Sequence, residues 1–122
     1  MLVFLAHWCP ACNDEVPNLV RMRSYGQFPD DLNIVGGLTA QSPDRPNFPP
    51  GTWIRDKMNW KYPTMLDGVD PDTGASIAST TYGLTAYPFV VLVDGDGMVV
   101  DRWSGGRTTE EIVARIGRLG LT

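Results

Sequence analysis

The residues best suited to chemistry are Cys9 and Cys12, the only two cysteines in the chain. Cys9 directly follows Trp8. Two thiols separated by two residues at the start of a helix lie within reach of one another. Such a pair can pass between a dithiol and a disulfide without large backbone movement. The spacing therefore favours reversible thiol–disulfide exchange.

Two other uses of the pair stay open. A zinc site would need two further ligands, whereas the chain has one histidine, His7, and no third cysteine. A purely structural disulfide is disfavoured because so short a loop contributes little chain entropy. A protonated His7, two residues before Cys9, would stabilise a thiolate, but we expect it to be a surface loop residue.

The elements on either side of the pair are predicted to form a strand and a helix. Residues 2–6 are a continuous apolar run, typical of a strand buried on both faces of a sheet. A helix begins after Cys9, with Pro10 in its first turn, a kink at Pro17 and an end near residues 25–26. Its core-facing stripe repeats at spacings of three and four: Val16, Leu19, Val20 and Arg23.

The rest of the chain alternates strands and helices. Residues 33–38 are predicted to form a second strand, and residues 89–93 and 98–103 an antiparallel hairpin. Asp94 and Asp96 lie in the turn of this hairpin and lack the later ligands of a calcium loop. A last helix begins at Thr108 or Thr109 and buries three residues: Ile112, Ile116 and Leu119.

Composition limits the class of protein. A chain of 122 residues forms one domain, and the charge of -4 argues against a nucleic-acid partner. No apolar stretch reaches the roughly 18 residues that indicate a membrane helix. Residues 1–6 are too short for the apolar region of a signal peptide, so we expect either a cytosolic protein or a trimmed portion of a longer precursor.

Several motifs resemble those of the thioredoxin superfamily. They are the W-C-x-x-C motif at the end of a buried strand, Pro17 five residues beyond Cys12, and the segment YGLTAYPF at residues 82–89. Within the superfamily, the chain resembles the TlpA/ResA group, whose C-x-x-C-x-x-E-x-P pattern is matched by Cys9, Cys12, Glu15 and Pro17.

The resemblance implies an α/β, thioredoxin-like fold over a single domain, residues 1–122. We expect a mixed sheet of about four strands in the order 2-1-3-4, with the last strand antiparallel, flanked by helices. Residues 39–81 are expected to be an insertion containing a proline-rich loop, a short helix at 51–59, an extended segment at 62–66 and a helix at 75–82. The extra N-terminal strand and helix of the family are absent from this sequence.

The residues and the resemblance together assign roles at the site. A thiolate at a helix N-terminus is favoured by free N–H groups and the helix dipole, so Cys9 is the expected nucleophile and Cys12 the buried resolving thiol. By resemblance, Glu15 accepts the proton of Cys12 through water. Also by resemblance, Pro88, if cis, leaves the backbone of Tyr87 free to pair with an extended substrate segment.

The remaining site residues are expected to contact substrate. Trp8 is predicted to line the rim of the site, and Pro10 and Ala11 separate the cysteines without supplying an ionisable group. The other three tryptophans are predicted to lie in the core: Trp53, Trp60 and Trp103. No motif for a nucleotide or flavin occurs, so we expect no cofactor and no metal.

The sequence therefore predicts a thiol-disulfide oxidoreductase acting on protein disulfides as a reductant, supplied with electrons by an upstream thiol protein. The alternative is a non-enzymatic binding module whose C-x-x-C is a metal half-site or a structural disulfide. We expect a monomer with no nucleic-acid partner. The resemblance implies an extracytoplasmic protein, secreted or anchored by a membrane tether outside this sequence; the alternative location is cytoplasmic.

Overall fold

Five strands form one mixed sheet in the computed structural model, which describes residues 1–120. The strands are β1 (Leu2–Leu5), β2 (Val35–Leu38), β3 (Thr64–Leu66), β4 (Phe89–Val93) and β5 (Val99–Ser104). The helices are α1 (Pro10–Ser24), α2 (Pro50–Thr52), which continues as a π-helical turn (Trp53–Lys57), α3 (Ile77–Tyr82) and α4 (Thr109–Gly117).

The strand order is β3-β2-β1-β4-β5. The predicted order 2-1-3-4 is confirmed by β2, β1, β4 and β5, and the last strand is antiparallel to its neighbour. The segment expected only to be extended adds a fifth strand, β3, parallel to β2 at the edge of the sheet. Strand β4 is also antiparallel to β1, so the sheet changes from parallel to antiparallel pairing at its centre.

Strand β1 lies at that centre because it is apolar on both faces. Val3 and Leu5 belong to the main core, and Phe4 packs on the opposite face in a smaller cluster with α3 and β4. On the neighbouring strand β2, Gly37 lies beside the Phe4 ring. Any larger residue would clash there, because a Cβ at Gly37 would lie 2.5 Å from Phe4 Cδ1. The prediction of a strand buried on both faces is confirmed.

Helix α1 runs without interruption through Pro17 and is capped at Tyr25, close to the predicted end. Its buried face consists of Cys12, Glu15, Val16, Leu19 and Met22. The prediction that Arg23 belongs to this face was wrong, because Met22 takes the inward position and Arg23 is exposed. The Arg23 guanidinium instead lies 5.1 Å from the centroid of the Tyr62 ring.

The insertion packs tryptophans into the core. Trp53 and Trp60 are buried within it, and Trp103 of β5 is buried beside α4, as predicted for all three. In the described part of the chain, no helix combines the length and apolar character needed to cross a membrane.

Candidate active site at the start of helix α1

The Cys9 sulfur lies between the start of α1 and the segment that precedes β4. Cys9 is the N-cap of the helix, and its Sγ accepts a hydrogen bond of 3.2 Å from the Cys12 backbone N–H. Its thiol donates to the Tyr87 carbonyl at 3.4 Å. A negative charge on this sulfur would therefore face a backbone donor at a helix N-terminus.

The two cysteines differ in burial. Cys9 is 6% exposed and Cys12 is fully buried, which is the order predicted. Burial, followed by a side-chain hydrogen bond to Cys9, raises the pKa of the Cys12 thiol far above its ordinary value, and the nearby charge of Glu15 acts in the same direction. Cys12 therefore needs a proton acceptor if it is to react as a thiolate.

Glu15 belongs to α1, and its buried side chain contacts the loop before α4. Its Oε2 accepts a hydrogen bond of 2.7 Å from the Arg107 backbone N–H, and its Oε1 accepts one of 3.0 Å from Asn18 Nδ2. The glycine beside Arg107 permits this approach, since a Cβ on Gly106 would lie 3.4 Å from Glu15 Oε2. We call Glu15, Asn18 and residues 106–108 the carboxylate wall.

The carboxylate wall borders an open groove of about 500 Å³. Ala11, from the dipeptide between the cysteines, lines the same groove as Glu15. The buried carboxylate thus lies near Cys12 on one side and borders space that water can enter on the other.

The segment before β4 contributes Tyr87 and Pro88, joined by a cis peptide bond as the resemblance implied. Tyr87 is half-buried, and its ring centroid lies 6.3 Å from that of Trp8 in an edge-to-face arrangement. Pro10 and Ala11 are exposed beside Cys9. The structure thus brings Trp8, Tyr87 and the exposed dipeptide together around the sulfur.

The prediction that His7 is a surface loop residue was wrong, because its side chain is fully buried. Its Nδ1 lies 2.7 Å from the Pro46 carbonyl, and its Nε2 accepts a hydrogen bond from the Ser42 N–H at 3.1 Å. These partners require a neutral ring with its hydrogen on Nδ1. The proline-rich loop folds over the start of α1 and covers the ring, so both nitrogens hold that loop instead of facing a thiolate.

We call residues 40–48 of this loop the loop wall. Three further contacts attach it to the residues before Cys9. Trp8 Nε1 donates to the Ala40 carbonyl at 2.7 Å, and Asn47 Nδ2 donates to the His7 carbonyl at 3.1 Å. The Arg45 guanidinium carbon lies 4.1 Å from the centroid of the Trp8 ring. Nothing in the sequence indicated Arg45, because it lies far along the chain from the motif.

Asn13 is a second residue that the sequence did not indicate. Its Nδ2 donates to the carbonyl of Cys9 at 2.9 Å and to that of His7 at 3.3 Å, while its Oδ1 accepts from Trp53 Nε1 at 2.9 Å. Asn13 therefore ties the first turn of α1 to the π-helical turn of the insertion. Its place one residue after Cys12 was the only available signal.

Metal ligation was the competing use of the cysteines. Among residues 1–120, no three or more His, Cys, Asp or Glu side chains are grouped so that they could hold a metal ion. His7 is engaged with backbone groups of the loop wall.

No family model matches the chain. The thiol:disulfide interchange protein HelX of Rhodobacter capsulatus is 26% identical over 113 residues, which cover 93% of this chain and 56% of HelX. The chain thus spans just over half the length of this relative.

Solved structures share the fold. A thiol-disulfide isomerase from Corynebacterium glutamicum superposes with a TM-score of 0.76 at 16% identity, covering 97% of this chain and 77% of the isomerase. The exposed lipoprotein thioredoxin Etrx1 of Streptococcus pneumoniae gives a TM-score of 0.70 at 21% identity, covering 97% and 82% of the two chains.

The sheet order, the C-x-x-C pair at the start of α1 and these likenesses show a thioredoxin-like fold. HelX is named a thiol:disulfide interchange protein, which agrees with the resemblance of the chain's motifs to the TlpA/ResA group.

Proposed function

We propose that this protein catalyses thiol–disulfide exchange with protein disulfides, with Cys9 as nucleophile and Cys12 as resolving thiol. The observation that carries the proposal is the Cys9 sulfur at the N-terminus of α1, 3.2 Å from the Cys12 N–H and 3.4 Å from the Tyr87 carbonyl. The names of HelX and of the isomerase from C. glutamicum describe the same chemistry.

The reaction has two exchange steps. The Cys9 thiolate attacks one sulfur of the partner's disulfide, so that a bond from Cys9 to the partner forms while the partner's S–S bond breaks and its other sulfur leaves as a thiolate, which takes up a proton. Cys12 then loses its proton and attacks the Cys9 sulfur, which releases the second partner thiol. The partner gains two electrons and two protons, and Cys9 and Cys12 become a disulfide.

Glu15 accepts the proton of Cys12 in the second step. Burial raises the pKa of Cys12, so the thiol does not ionise unaided at neutral pH. The Glu15 carboxylate acts on Cys12 electrostatically and borders an open groove, and a water molecule there would connect the two groups. The hydrogen bonds from Arg107 and Asn18 occupy only part of the acceptor capacity of the carboxylate.

The partner's segment binds around Cys9. When Cys9 ionises it can no longer donate to the Tyr87 carbonyl, and this carbonyl then accepts an N–H from an extended segment of the partner. Trp8, Pro10 and Ala11 supply the adjoining surface, and Pro88 closes it beneath Tyr87.

The exchange runs in the reducing direction, with an upstream dithiol protein restoring the Cys9–Cys12 dithiol. A dithiol oxidises its partners strongly when its reduced form is stabilised. Because the pKa of Cys12 is raised, the reduced form gains no such stabilisation from a thiolate at that position. The protein acts as a monomer. It works in an extracytoplasmic compartment, secreted or anchored, and the description of Etrx1 as an exposed lipoprotein agrees with this location.

Substitution of each cysteine tests the proposal. With insulin and excess dithiothreitol, we expect Cys9→Ser to reduce the disulfides no faster than dithiothreitol alone. Cys12→Ser should form a mixed disulfide with the substrate that is visible on a non-reducing gel. Full activity in Cys9→Ser would overturn the proposal, and stoichiometric metal in the purified protein would favour the binding-module alternative.

A further inference from the structure

The loop wall places one cationic side chain beside the nucleophile that the exchange steps do not use. Arg45 is exposed, and its guanidinium carbon lies 4.1 Å from the centroid of the Trp8 ring. Trp8 directly precedes Cys9 and packs edge-to-face against Tyr87, whose carbonyl accepts the Cys9 thiol. Arg45, Trp8 and Tyr87 therefore form a continuous surface that ends at the reactive sulfur.

Two other arginines in the described part of the chain stack on aromatic rings, and one of them, Arg115, is also paired with a carboxylate. Arg115 lies 4.9 Å from the Trp103 ring and forms an ion pair of 3.3 Å with Asp101. The Arg23 guanidinium carbon lies 5.1 Å from the centroid of the Tyr62 ring. Within residues 1–120, Arg45 has the aromatic ring but no carboxylate within 4.0 Å.

We propose that Arg45 is a specificity-determining residue that binds a carboxylate on the partner's segment next to the disulfide under attack. The inference rests on the proposed exchange function and adds the class of partner: a protein segment with Asp or Glu close to its cysteine. A guanidinium stacked by its face keeps its N–H donors at the edge, in the geometry that pairs with a carboxylate.

The loop wall holds Arg45 in this position through contacts with neutral groups. The ring of His7 bonds the backbone at Ser42 and Pro46, on either side of Arg45. Trp8 Nε1 fixes the start of the wall at Ala40. The backbone that carries Arg45 is therefore attached to the residues before Cys9, which lowers the entropy lost when the guanidinium pairs with a carboxylate.

The charge of the chain gives this cation a selective role. The net charge is -4, so an acidic partner is repelled by most of the surface and gains attraction only at a local positive group. An ion pair at this exposed site is worth a modest rate preference, about two- to fivefold. The preference should fall toward unity at about 1 M salt, where the Debye length is roughly 3 Å.

The test uses matched disulfide peptides with reduced full-length protein. Three pairs of peptides differ only in having Glu or Gln at the first, second or third residue beyond the attacked cysteine, and kcat/KM is measured for each. We expect at least one Glu peptide to react about two- to fivefold faster than its Gln partner. Arg45→Gln should abolish this preference, and Arg45→Glu should reverse it.

Arg23→Gln is the control. It removes the same charge and also breaks a stack on an aromatic ring, but Arg23 lies 14 residues beyond Cys9, roughly 21 Å along the helix. This variant should keep the wild-type preference. Equal rates within all three peptide pairs, or a preference that survives in Arg45→Gln, would overturn the inference while leaving the exchange function intact. No exchange with any peptide would overturn the exchange function and the inference with it.

Discussion

The carboxylate wall and the loop wall lie on either side of the cysteines and are built from different interactions. Glu15 is a buried charge held by a backbone N–H and an amide, and it acts on Cys12. The loop wall is an exposed segment held by a neutral buried ring, His7, and it reaches Cys9 through Trp8. A carboxylate lies near the buried Cys12 in one wall, and an exposed guanidinium stacked on Trp8 adjoins Cys9 in the other.

Under the proposed exchange reaction, we expect each wall to have one task. A buried thiol with a raised pKa requires a proton acceptor but cannot touch a partner protein. Cys9, the less buried thiol at the helix N-terminus, needs its partner to be positioned. Variants of the carboxylate wall should therefore slow resolution without changing selectivity, and variants of the loop wall should change selectivity without slowing resolution.

The largest effect is expected from Glu15→Gln. The amide keeps the shape of the side chain but is too weak a base to accept the proton of Cys12. We expect the mixed disulfide to resolve about 100-fold more slowly, the low end of what a general base contributes. Single-turnover exchange, followed by quenching and mass spectrometry, separates this step from the first attack, which should keep its rate.

Asp14→Asn is the matched control for Glu15→Gln. Asp14 is the preceding residue, lines the same groove and is exposed, so the variant removes an equal charge without touching Cys12. Its resolution rate should equal that of the wild type. If the two variants slow resolution equally, the effect is one of net charge and Glu15 is not the base.

The outline of the fold follows from the sequence because it depends on local pattern. The apolar run of β1 and the hairpin of β4 and β5 carry strong periodicity, and the order of the four main strands was correct. The edge strand β3 was predicted only as extended, since three residues, two of them exposed, leave almost no pattern. Its pairing with β2 is decided by the tertiary structure.

At the site, the sequence motifs indicated the residues near Cys9 and, from across the fold, Tyr87 and Pro88, but none of the residues of the loop wall. Cys12, Glu15 and Tyr87 lie in motifs that carry the resemblance. His7 was misjudged because a polar residue beside a motif is usually exposed, and its burial depends on a loop that starts more than 30 residues later. Arg45 belongs to that loop and was missed for the same reason.

The next effect tests the attachment of the loop wall. In His7→Ala the backbone groups of Ser42 and Pro46 lose their partners, so the loop should detach locally. We expect a loss of about 2–3 kcal/mol in the free energy of unfolding, from unmade hydrogen bonds and a cavity. Hydrogen exchange should accelerate at Ser42, and the Glu-peptide preference should fall while resolution keeps its rate.

His7→Asn provides the comparison for this variant. Its amide can place a donor close to the position of Nδ1, so the bond to the Pro46 carbonyl can be kept. We expect a smaller loss of stability and partial retention of the preference. An unchanged exchange rate at Ser42 in His7→Ala would show that the ring does not hold the loop wall.

The smallest effect concerns Thr39, the residue immediately before the loop wall, which donates to Asp67 at 2.6 Å. Burial alone would raise the pKa of Asp67, but hydrogen bonds from Ser76, Thr39 and the backbone at Ala78 and Gly68 hold it below its ordinary value. The carboxylate should therefore stabilise the fold above about pH 4, and this contribution should be lost as pH falls through the lowered pKa of Asp67.

The variant Asp67→Asn should reduce the free energy of unfolding by about 1 kcal/mol at pH 7, since the site is half-exposed. Measured by chemical unfolding, the difference from the wild type should shrink below about pH 4. The control Asp30→Asn, at an exposed loop carboxylate, should show neither the loss of stability nor its pH dependence. If the loss of stability in Asp67→Asn is the same at every pH, the charge of Asp67 does not hold Thr39.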